Sequence, residues 1–247
     1  MHIHHVYAHP HADSLNAALR DETDRTLTAL GHTRTLSDLY AMRWKAVADH
    51  DDFAAEPDRH FMTAAGEAYR TGALAADIRA EHERLLAADA LLLQFPLWWF
   101  SMPAIMKGWF DRVFTNGFGY NTAEHYGAGV LAGKRAMLMV TTGATAETLS
   151  GRGIGGPLDD LLFPIQHGTL FYTGMRVLPP FAIHSAWAVD SPGFARETKR
   201  LRERLETLAA TDPIPFRTES SGDYDAAGLL KPGAERPGTT GFAMHTA

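Results

Sequence analysis

The chain has 247 residues, of which 45% are hydrophobic and 21% charged, a composition typical of a single globular domain and not of a disordered protein. Its formal net charge of −6 argues against binding to nucleic acid or anionic membranes, because both rely on basic patches. The absence of cysteine excludes disulfides, thiolate catalysis, iron–sulfur clusters and cysteine-based zinc sites. Its amino terminus lacks the apolar core of a signal peptide, and no apolar stretch has membrane-spanning length. We therefore expect a cytoplasmic protein without membrane insertion.

The first 40 residues predict a strand, a helix and a second strand. Ile3–Ala8 is β-branched and aromatic and predicts the first strand. A stripe of leucines and alanines then predicts a helix, with Asp13 or Ser14 as N-cap and Gly31 as the stop. Thr33–Leu39 predicts the second strand.

The middle of the chain begins with a polar segment. Residues 41–71 carry many charges, and we predict an irregular insertion there rather than a regular crossover. Asp77–Ala87 predicts a helix, and the apolar run Ala90–Phe95 predicts a parallel strand buried on both faces. Pro103–Phe114 has the apolar spacing of a helix. In the helix before the strand, the residues expected to face inward are Ile78, Leu85 and Leu86.

The last elements follow the same alternation. Arg135–Val140 predicts a fourth strand, and a strongly apolar helix, Pro157–Phe171, follows a glycine-rich loop. Val177–Ile183 predicts the fifth strand, and Pro179-Pro180 indicates that it is an edge strand or an interrupted one. Phe194–Leu208 predicts the last helix.

Alternating strands and helices predict an α/β protein with a doubly wound, parallel, five-stranded sheet and helices on both faces. We assign residues 1–211 to this domain. Residues 212–247 are rich in proline, glycine and serine, and we expect an extended C-terminal arm packed on the domain or on a dimer partner. Ligands of such sheets bind beyond the carboxyl ends of the strands. Three unusual loops lie there: the first loop (His9–Asn16), the aromatic loop (Pro96–Pro103) and the third loop (Thr141–Gly156).

The first loop has the features of a phosphate site. It leads into a helix N-terminus, where unpaired N–H groups and the positive end of the dipole face a ligand, and Ser14 and Asn16 add side-chain donors. His9 adds a donor or a positive charge. The alternative is that Ser14 only caps the helix. The loop matches neither a Walker motif nor GxGxxG, which disfavours ATP and a Rossmann-bound NAD.

The aromatic loop is the most specific signal. The side chains of Trp98, Trp99 and Phe100 diverge, so they cannot all face the core, and exposing them would leave a large apolar patch. A planar aromatic cofactor would cover that patch, bound by backbone N–H groups at its edge and by Trp99 and Phe100 at its face. The alternative is a set of ordinary core aromatics followed by a helix-starting proline.

The remaining polar features are less specific. In the third loop, the hydroxyls and backbone amides of residues 141–144 can bind a cofactor or simply form a glycine turn. Tyr120, His125 and Tyr126 line a substrate mouth or form a half-exposed surface cluster. The histidines at positions 2, 4 and 5 lack a third ligand, so we expect satisfied or solvated imidazoles and no metal site. No GxSxG or HExxH motif is present.

Several segments together carry a family resemblance. They are residues 8–10 and 14–16, residues 37–42, the highly specific block 95–114, residues 141–143, residues 164–168 and residues 174–178. Through them, nearly the whole chain resembles the NAD(P)H:quinone oxidoreductase (DT-diaphorase) family of flavodoxin-like flavoproteins. The resemblance implies FAD, with FMN less favoured. It also implies NAD(P)H as donor, ping-pong hydride transfer through flavin N5 to a quinone or a similar flat acceptor, and a homodimer with its active sites at the interface.

The resemblance also assigns site residues. It places FAD on His9, Ser14, Leu15, Asn16, Pro96, Leu97, Trp98, Trp99, Phe100, Thr141, Thr142 and Gly143. Our reading of the third loop adds the amide of Ala144. The acceptor is placed against Trp99, Phe100, Tyr120 and the partner subunit's Tyr172, and our reading of the loop before the fourth strand adds His125. Trp99, Phe100 and Tyr120 are the residues expected to act in catalysis.

The sequence departs from the family at several positions. Mammalian members have Gly-Gly where this chain has Gly143-Ala144, a tyrosine and a histidine at Leu149 and Gly155, and a second pocket tyrosine at Thr122. The alternative functions are a flavin-bearing accessory subunit of a potassium-efflux system, a nitro- or azo-type reductase, and a one-electron carrier. The last is disfavoured, because the chain lacks a hydroxyl-rich phosphate loop.

Overall fold

A parallel sheet forms the centre of the computed structural model, which describes residues 1–53, 59–120 and 124–247. Its strands are β1 (His2–Tyr7), β2 (Thr33–Asp38), β3 (Ala90–Pro96), β4 (Arg135–Thr141), β5 (Arg176–Val177) and β6 (Phe181–Ile183). They lie in the order β2-β1-β3-β4-β5, and β6 also pairs with β4. Every pairing between these strands is parallel, which confirms the predicted α/β sheet.

The predicted fifth strand is interrupted, as its prolines indicated. Pro179-Pro180 separates β5 from β6, because a proline has no N–H to donate to the ladder. Both pieces pair with β4, β5 at its beginning and β6 at its end. The segment that follows β6 therefore lies beside the carboxyl end of β4.

Helices cover both faces of the sheet. They are α1 (Leu15–Ala29), α2 (Phe61–Thr71), α3 (Ala76–Ala87), α4 (Ala104–Val113), α5 (Leu158–Ile165) and α6 (Ser191–Glu206). α1 and α6 share one apolar core with β1, β3 and β4. α3, α4 and α5 contribute to the core on the opposite face. No helix in the described ranges is long and apolar enough to span a membrane.

The expectation of an irregular insertion over residues 41–71 is wrong for its last third, which forms α2. Its buried face consists of the small residues Ala64, Ala65 and Ala68, and Gly72 ends the helix at φ 73°. The helix itself carries only two charged residues, Glu67 and Arg70, which lie outside that buried face, and most charges of residues 41–71 precede it. Charge alone therefore gave no evidence against a helix.

Two further helix expectations need correction. Leu86 is 49% exposed and does not face inward, because Ile78 and Leu85 define the buried face of α3 and Leu86 lies about 100° around the helix from Leu85. The single helix expected over Pro157–Phe171 is two pieces. α5 carries Pro164 and ends at Ile165, and a π-helix follows over Gln166–Phe171.

Two amino-terminal histidines are buried, so the alternative of solvated imidazoles is wrong for them. His4 and His5 are both 0% exposed, because β1 is an inner strand of the sheet. His4 Nε2 lies 3.2 Å from Glu81 Oε2, and Glu81 also accepts hydrogen bonds from Ser37 and Trp109. A buried carboxylate therefore satisfies His4. Among the described residues, no group of three potential metal-ligating side chains occurs.

The C-terminal arm packs along the face formed by α5 and the π-helix. Ile214 N–H donates to the carbonyl of Val177 over 2.7 Å, and the ring of Phe242 stacks on Phe163 at a centroid distance of 4.2 Å. Nearer the site, Glu219 N–H donates to the carbonyl of Tyr126 over 3.2 Å. The arm thus contacts the domain that precedes it in the chain.

Candidate active site

The first loop leads into α1 at the carboxyl end of β1. Ser14 is the N-cap of α1, and its hydroxyl accepts from Ala17 N–H over 3.1 Å and donates to the carbonyl of His11 over 2.8 Å. In the described part of the chain, the N–H groups of Leu15 and Asn16 have no protein acceptor. Ser14 therefore acts as a cap, and the free donors of the first turn remain available to an anion.

Asn16 joins the first loop to the third loop. Its Nδ2 donates to Thr141 Oγ1 over 2.8 Å, and the residue is only 4% exposed. Its Oδ1 atom is buried and has no hydrogen-bond partner within the described ranges. An unsatisfied buried acceptor costs about 1–3 kcal/mol, so this oxygen is suited to accept from a bound ligand.

A buried network of hydrogen-bonded polar side chains lies directly beneath these two loops. Gln94 Nε2 donates to the carbonyl of Asn16 over 2.6 Å, and Gln94 Oε1 lies 3.0 Å from His5 Nε2. Because Gln94 Oε1 must accept, His5 carries its proton on Nε2. Burial lowers the pKa of His5 to about 3, so it is neutral in the folded protein. His5 thereby fixes the orientation of the Gln94 amide, and Gln94 holds the first turn of α1.

The aromatic loop presents its side chains to solvent at the carboxyl end of β3. Trp98 and Ser101 exchange two backbone hydrogen bonds of 2.9 and 3.0 Å, which closes the aromatic turn, Trp98–Ser101. Its central residues, Trp99 and Phe100, have φ of 50° and 61°. Such angles cost about 1–2 kcal/mol for each residue with a side chain. Trp99 is 94% exposed and Phe100 54% exposed, so the alternative of ordinary core aromatics is wrong for them.

Free backbone donors lie beside these rings. In the described ranges, the N–H groups of Trp99, Phe100 and Gly143 have no protein acceptor. The amides on either side of Gly143 are occupied, since Thr142 N–H donates to Ile183 O over 2.9 Å and Ala144 N–H to Thr142 Oγ1 over 3.2 Å. The expectation that the amides of residues 142–144 all face a cofactor is therefore corrected: only Gly143 N–H is free.

His9 is oriented by its neighbour. His11 N–H donates to His9 Nδ1 over 3.1 Å, which leaves Nε2 to carry the proton, and the His9 ring lies 6.2 Å from that of Trp98. Burial lowers the pKa of His9 below its usual value, although the contact with the His11 backbone opposes the shift. The surroundings of His9 therefore favour a neutral donor at this position over a positive charge.

The residues expected to contact the acceptor form two groups. Tyr120 lines a groove of about 820 Å³ that also contains Ser101 and Met102 of the aromatic loop. His125 stacks on Tyr172 at a centroid distance of 4.8 Å, and Tyr126 packs edge-on against Tyr172. The π-helix ends immediately before Tyr172 and thus positions it in the second group. Thr122 lies outside the described residues.

Comparisons with known proteins agree with this fold. The model of the flavodoxin-like fold family matches residues 1–205. A ribosyldihydronicotinamide dehydrogenase-like protein of Penicillium crustosum is 44% identical over 253 residues, covering 98% of this chain and 94% of that protein. NAD(P)H dehydrogenase (quinone) 1 of Rattus norvegicus is 35% identical over 232 residues, covering 92% of this chain and 85% of the rat protein. A Klebsiella pneumoniae crystal structure, of a protein proposed to be a quinone reductase, has a TM-score of 0.96 and 49% identity and covers 100% of both chains.

The chain belongs to the flavodoxin-like NAD(P)H:quinone oxidoreductase family. It is accordingly an oxidoreductase, and membership of this family implies a flavin and NAD(P)H. The first loop, the aromatic loop and the third loop occupy the strand ends at which such a sheet binds its ligand.

Two positions at which this chain departs from the quinone oxidoreductase family, Leu149 and Gly155, lie together. A Cβ added to Gly155 would lie 2.7 Å from Leu149 Cδ2 and 3.6 Å from Phe100 Cε1. Leu149 is 5% exposed. Two apolar, non-titratable residues thus stand beside Phe100, where the family resemblance implies a tyrosine and a histidine.

Two residues at the candidate site were not predicted from the sequence. Gln94 is the polar residue of the strand that we described as a continuous apolar run, and a lone amide between Leu93 and Phe95 is the signal that identifies it. Trp187 was not considered. It lies beyond β6 and touches the third loop, and no sequence motif marks it.

Proposed function

We propose that the protein is an FAD-dependent NAD(P)H oxidoreductase that transfers hydride, by a ping-pong mechanism, to a quinone or a similar flat, electron-poor acceptor. The observation that carries this proposal is the aromatic turn. It holds two aromatic side chains in costly backbone conformations and exposes both of them beside unpaired backbone donors. A planar ligand with hydrogen-bond acceptors at its edge would cover the exposed rings and accept hydrogen bonds from the unpaired N–H groups.

The residues at the strand ends fit a flavin. The N–H groups of Trp99, Phe100 and Gly143 would bind the edge of the ring, and Trp99 and Phe100 would cover its face. The first turn of α1 would bind phosphate, and Asn16 Oδ1 would accept a hydrogen bond. When bound, the flavin supplies the hydride chemistry, accepting from NAD(P)H and passing to the acceptor.

The substrate site lies against the aromatic wall. Trp99 offers a nearly fully exposed ring, against which the nicotinamide and then the acceptor would stack in turn. Sharing one surface explains why donor and acceptor would alternate rather than bind together. Tyr120 would close the site from the adjoining groove, and the Tyr120 hydroxyl lies 3.1 Å from Met62 Sδ.

We propose that the protein is a homodimer whose two sites lie at the interface. The large groove beside Tyr120 is lined mainly by apolar residues of the segment before α2, of α2 itself, of α4 and of α5. Val47 and Met62, which line it, are 67% and 42% exposed. A second copy would cover this surface and bring its Tyr172 to the aromatic wall of the first.

Proton transfer in this protein would not use the tyrosine and histidine that the family has at the positions of Leu149 and Gly155. Leu149 and Gly155 carry no group that holds or moves a proton, so Gly143 N–H would stabilise developing charge and solvent would supply the proton. The alternative to solvent is a relay through His125 or Tyr120, the titratable side chains of the loop before β4.

Steady-state turnover of FAD-loaded protein tests the proposed function. Benzoquinones, naphthoquinones, nitroaromatics and azo dyes would each be assayed with NADH, NADPH and dihydronicotinamide riboside. We expect the highest kcat/KM with quinones and parallel double-reciprocal lines, as in a ping-pong reaction. Turnover restricted to nitroaromatics or azo dyes would change the acceptor class. No turnover, together with copurification of a membrane transporter, would favour the accessory-subunit alternative.

A further inference from the structure

Trp187 is an exposed tryptophan whose indole N–H has no acceptor within the described ranges. Its side chain is 91% exposed and makes neither a ring contact nor a hydrogen bond with the described residues. Tryptophan is highly buried on average, so a nearly fully exposed indole is unusual. The indole N–H is therefore a donor available to a ligand.

The backbone that carries Trp187 is bonded to the third loop on both sides of Gly143. The two residues before Trp187 donate their N–H groups to the carbonyls of Thr142 and Ala144, over 2.9 and 3.0 Å. The indole nitrogen lies against Gly143 itself, since a Cβ added to that glycine would lie 1.9 Å from Trp187 Nε1. Only a glycine at position 143 leaves room for the indole in this place.

Two free donors therefore meet at one point of the third loop. Gly143 N–H has no protein acceptor in the described ranges, and Trp187 Nε1–H is in contact with the same residue. Hydrogen bonds are strongest when one partner is ionised, so a pair of neutral donors gains most from an acceptor that carries negative charge. The pair thus favours the acceptor-rich edge of a ligand over an apolar one.

The edge of a flavin ring has two neighbouring acceptors, N1 and O2, and the reduced ring carries its negative charge there. Leu149 and Gly155, which stand beside Phe100, offer no side-chain donor to that charge. Resting on the proposed flavin binding, we infer that Trp187 donates its indole N–H to this edge and, with Gly143 N–H, stabilises the reduced flavin more than the oxidised flavin. Trp187 thus supplies a donor that the residues at positions 149 and 155 lack.

The reduction potential of bound FAD tests this inference without using turnover. FAD-loaded wild type, Trp187→Phe, Trp187→His and Leu30→Ala would be reduced anaerobically with dithionite against a reference dye, so that NAD(P)H is not needed. Trp187→Phe keeps an aromatic ring without the N–H. Trp187→His can place an N–H at the corresponding ring position, and a measurement at about pH 8 keeps a histidine of ordinary pKa neutral. Leu30→Ala is the matched control, because Leu30 is a 37% exposed apolar residue at the C-cap of α1, the end opposite the site.

The potential should fall in Trp187→Phe and not in the control. A hydrogen bond to a charged group is stronger than one to a neutral group, so loss of the donor should weaken binding of the reduced flavin about tenfold relative to the oxidised flavin. For a two-electron couple, that factor lowers the reduction potential by about 30 mV. Trp187→His should restore most of the wild-type potential, because it restores an N–H.

Three results would overturn the inference. They are equal potentials in wild type and Trp187→Phe, an equal fall in Trp187→Phe and Trp187→His, which would assign the effect to the lost indole surface, and a matching fall in Leu30→Ala. FAD that shows the expected potentials but is not reduced by NAD(P)H would support the inference and refute the proposed reaction. Wild-type protein that binds no flavin would refute both.

Discussion

The fully buried imidazole of His5 should make the stability of the fold depend on pH. Its pKa is lowered from 6.5 to about 3, chiefly by burial and further by the nearby Arg34, while the bond to Gln94 opposes the shift. Between these two values the unfolded chain binds more protons than the folded chain. Stability contributed by His5 is therefore fully present above pH 6.5 and is lost progressively as the pH falls toward 3.

The size of the effect follows from this window. Each pH unit below the pKa of His5 in the unfolded chain lowers its contribution to the free energy of unfolding by about 1.4 kcal/mol. At pH 5.0 the loss from His5 should be about 2 kcal/mol relative to pH 7.5. Burial also lowers the pKa of His167, to about 4, so His167 contributes over part of the same range. A comparison between variants isolates His5.

Urea unfolding at pH 7.5 and pH 5.0, at one protein concentration, measures the difference. We expect His5→Gln, which keeps a donor for Gln94, to lose about 2 kcal/mol less than wild type between the two pH values. His2→Gln is the control, because His2 lies on the same strand with a partly exposed ring, and it should behave as wild type does. An identical pH dependence in wild type and His5→Gln would refute the assignment of a neutral, buried His5 beneath the site.

Three further outcomes are expected. Trp99→Ala should weaken flavin binding and lower turnover together, each about tenfold or more, and unchanged turnover would remove Trp99 from the site. Light scattering should give a dimer, whereas a fully active monomer at micromolar concentration would contradict the shared sites. With Leu149 and Gly155 in place, the reductive half-reaction should depend only weakly on pH. A steep transition near neutrality that His125→Ala or Tyr120→Phe abolishes would instead show that the relay has moved to those residues.

Much of the fold could be predicted because its signals are local. The β-branched run of β1, the Ser14 cap of α1 and the double proline between β5 and β6 each act through neighbouring residues, and the structure agrees with all three. α2 was missed because its buried face is made of alanines. Their spacing is weak evidence of a helix until the surface that covers them is known.

The site was predicted in outline but not in its hydrogen bonding. The sequence placed the first loop, the aromatic loop and the third loop at one edge, because parallel strands end together. It could not show that the N–H groups of Thr142 and Ala144 donate to acceptors within the described protein, whereas that of Gly143 does not. Such pairings depend on β6 and the segment after it, which reach the third loop only through the fold.

Gln94 and Trp187 illustrate the same limit. Gln94 lies in β3 and bonds to Asn16 of α1, 78 positions away in the sequence. Trp187, which follows β6, contacts Gly143, which follows β4. Their composition was visible, but their partners were not. The lone amide in β3 marks Gln94 as unusual and no motif marks Trp187, but only the structure identifies the contacts of either residue.

The most direct test of the proposed chemistry is an anaerobic two-step experiment on protein whose bound cofactor has been identified by mass spectrometry. We expect FAD in the released fraction, loss of the flavin absorbance on mixing with NAD(P)H, and its full return when one equivalent of a quinone is added after the nicotinamide has been removed. FMN alone, or no bound flavin after reconstitution, would contradict the cofactor assignment. Bound FAD that NAD(P)H cannot reduce would contradict the reaction itself.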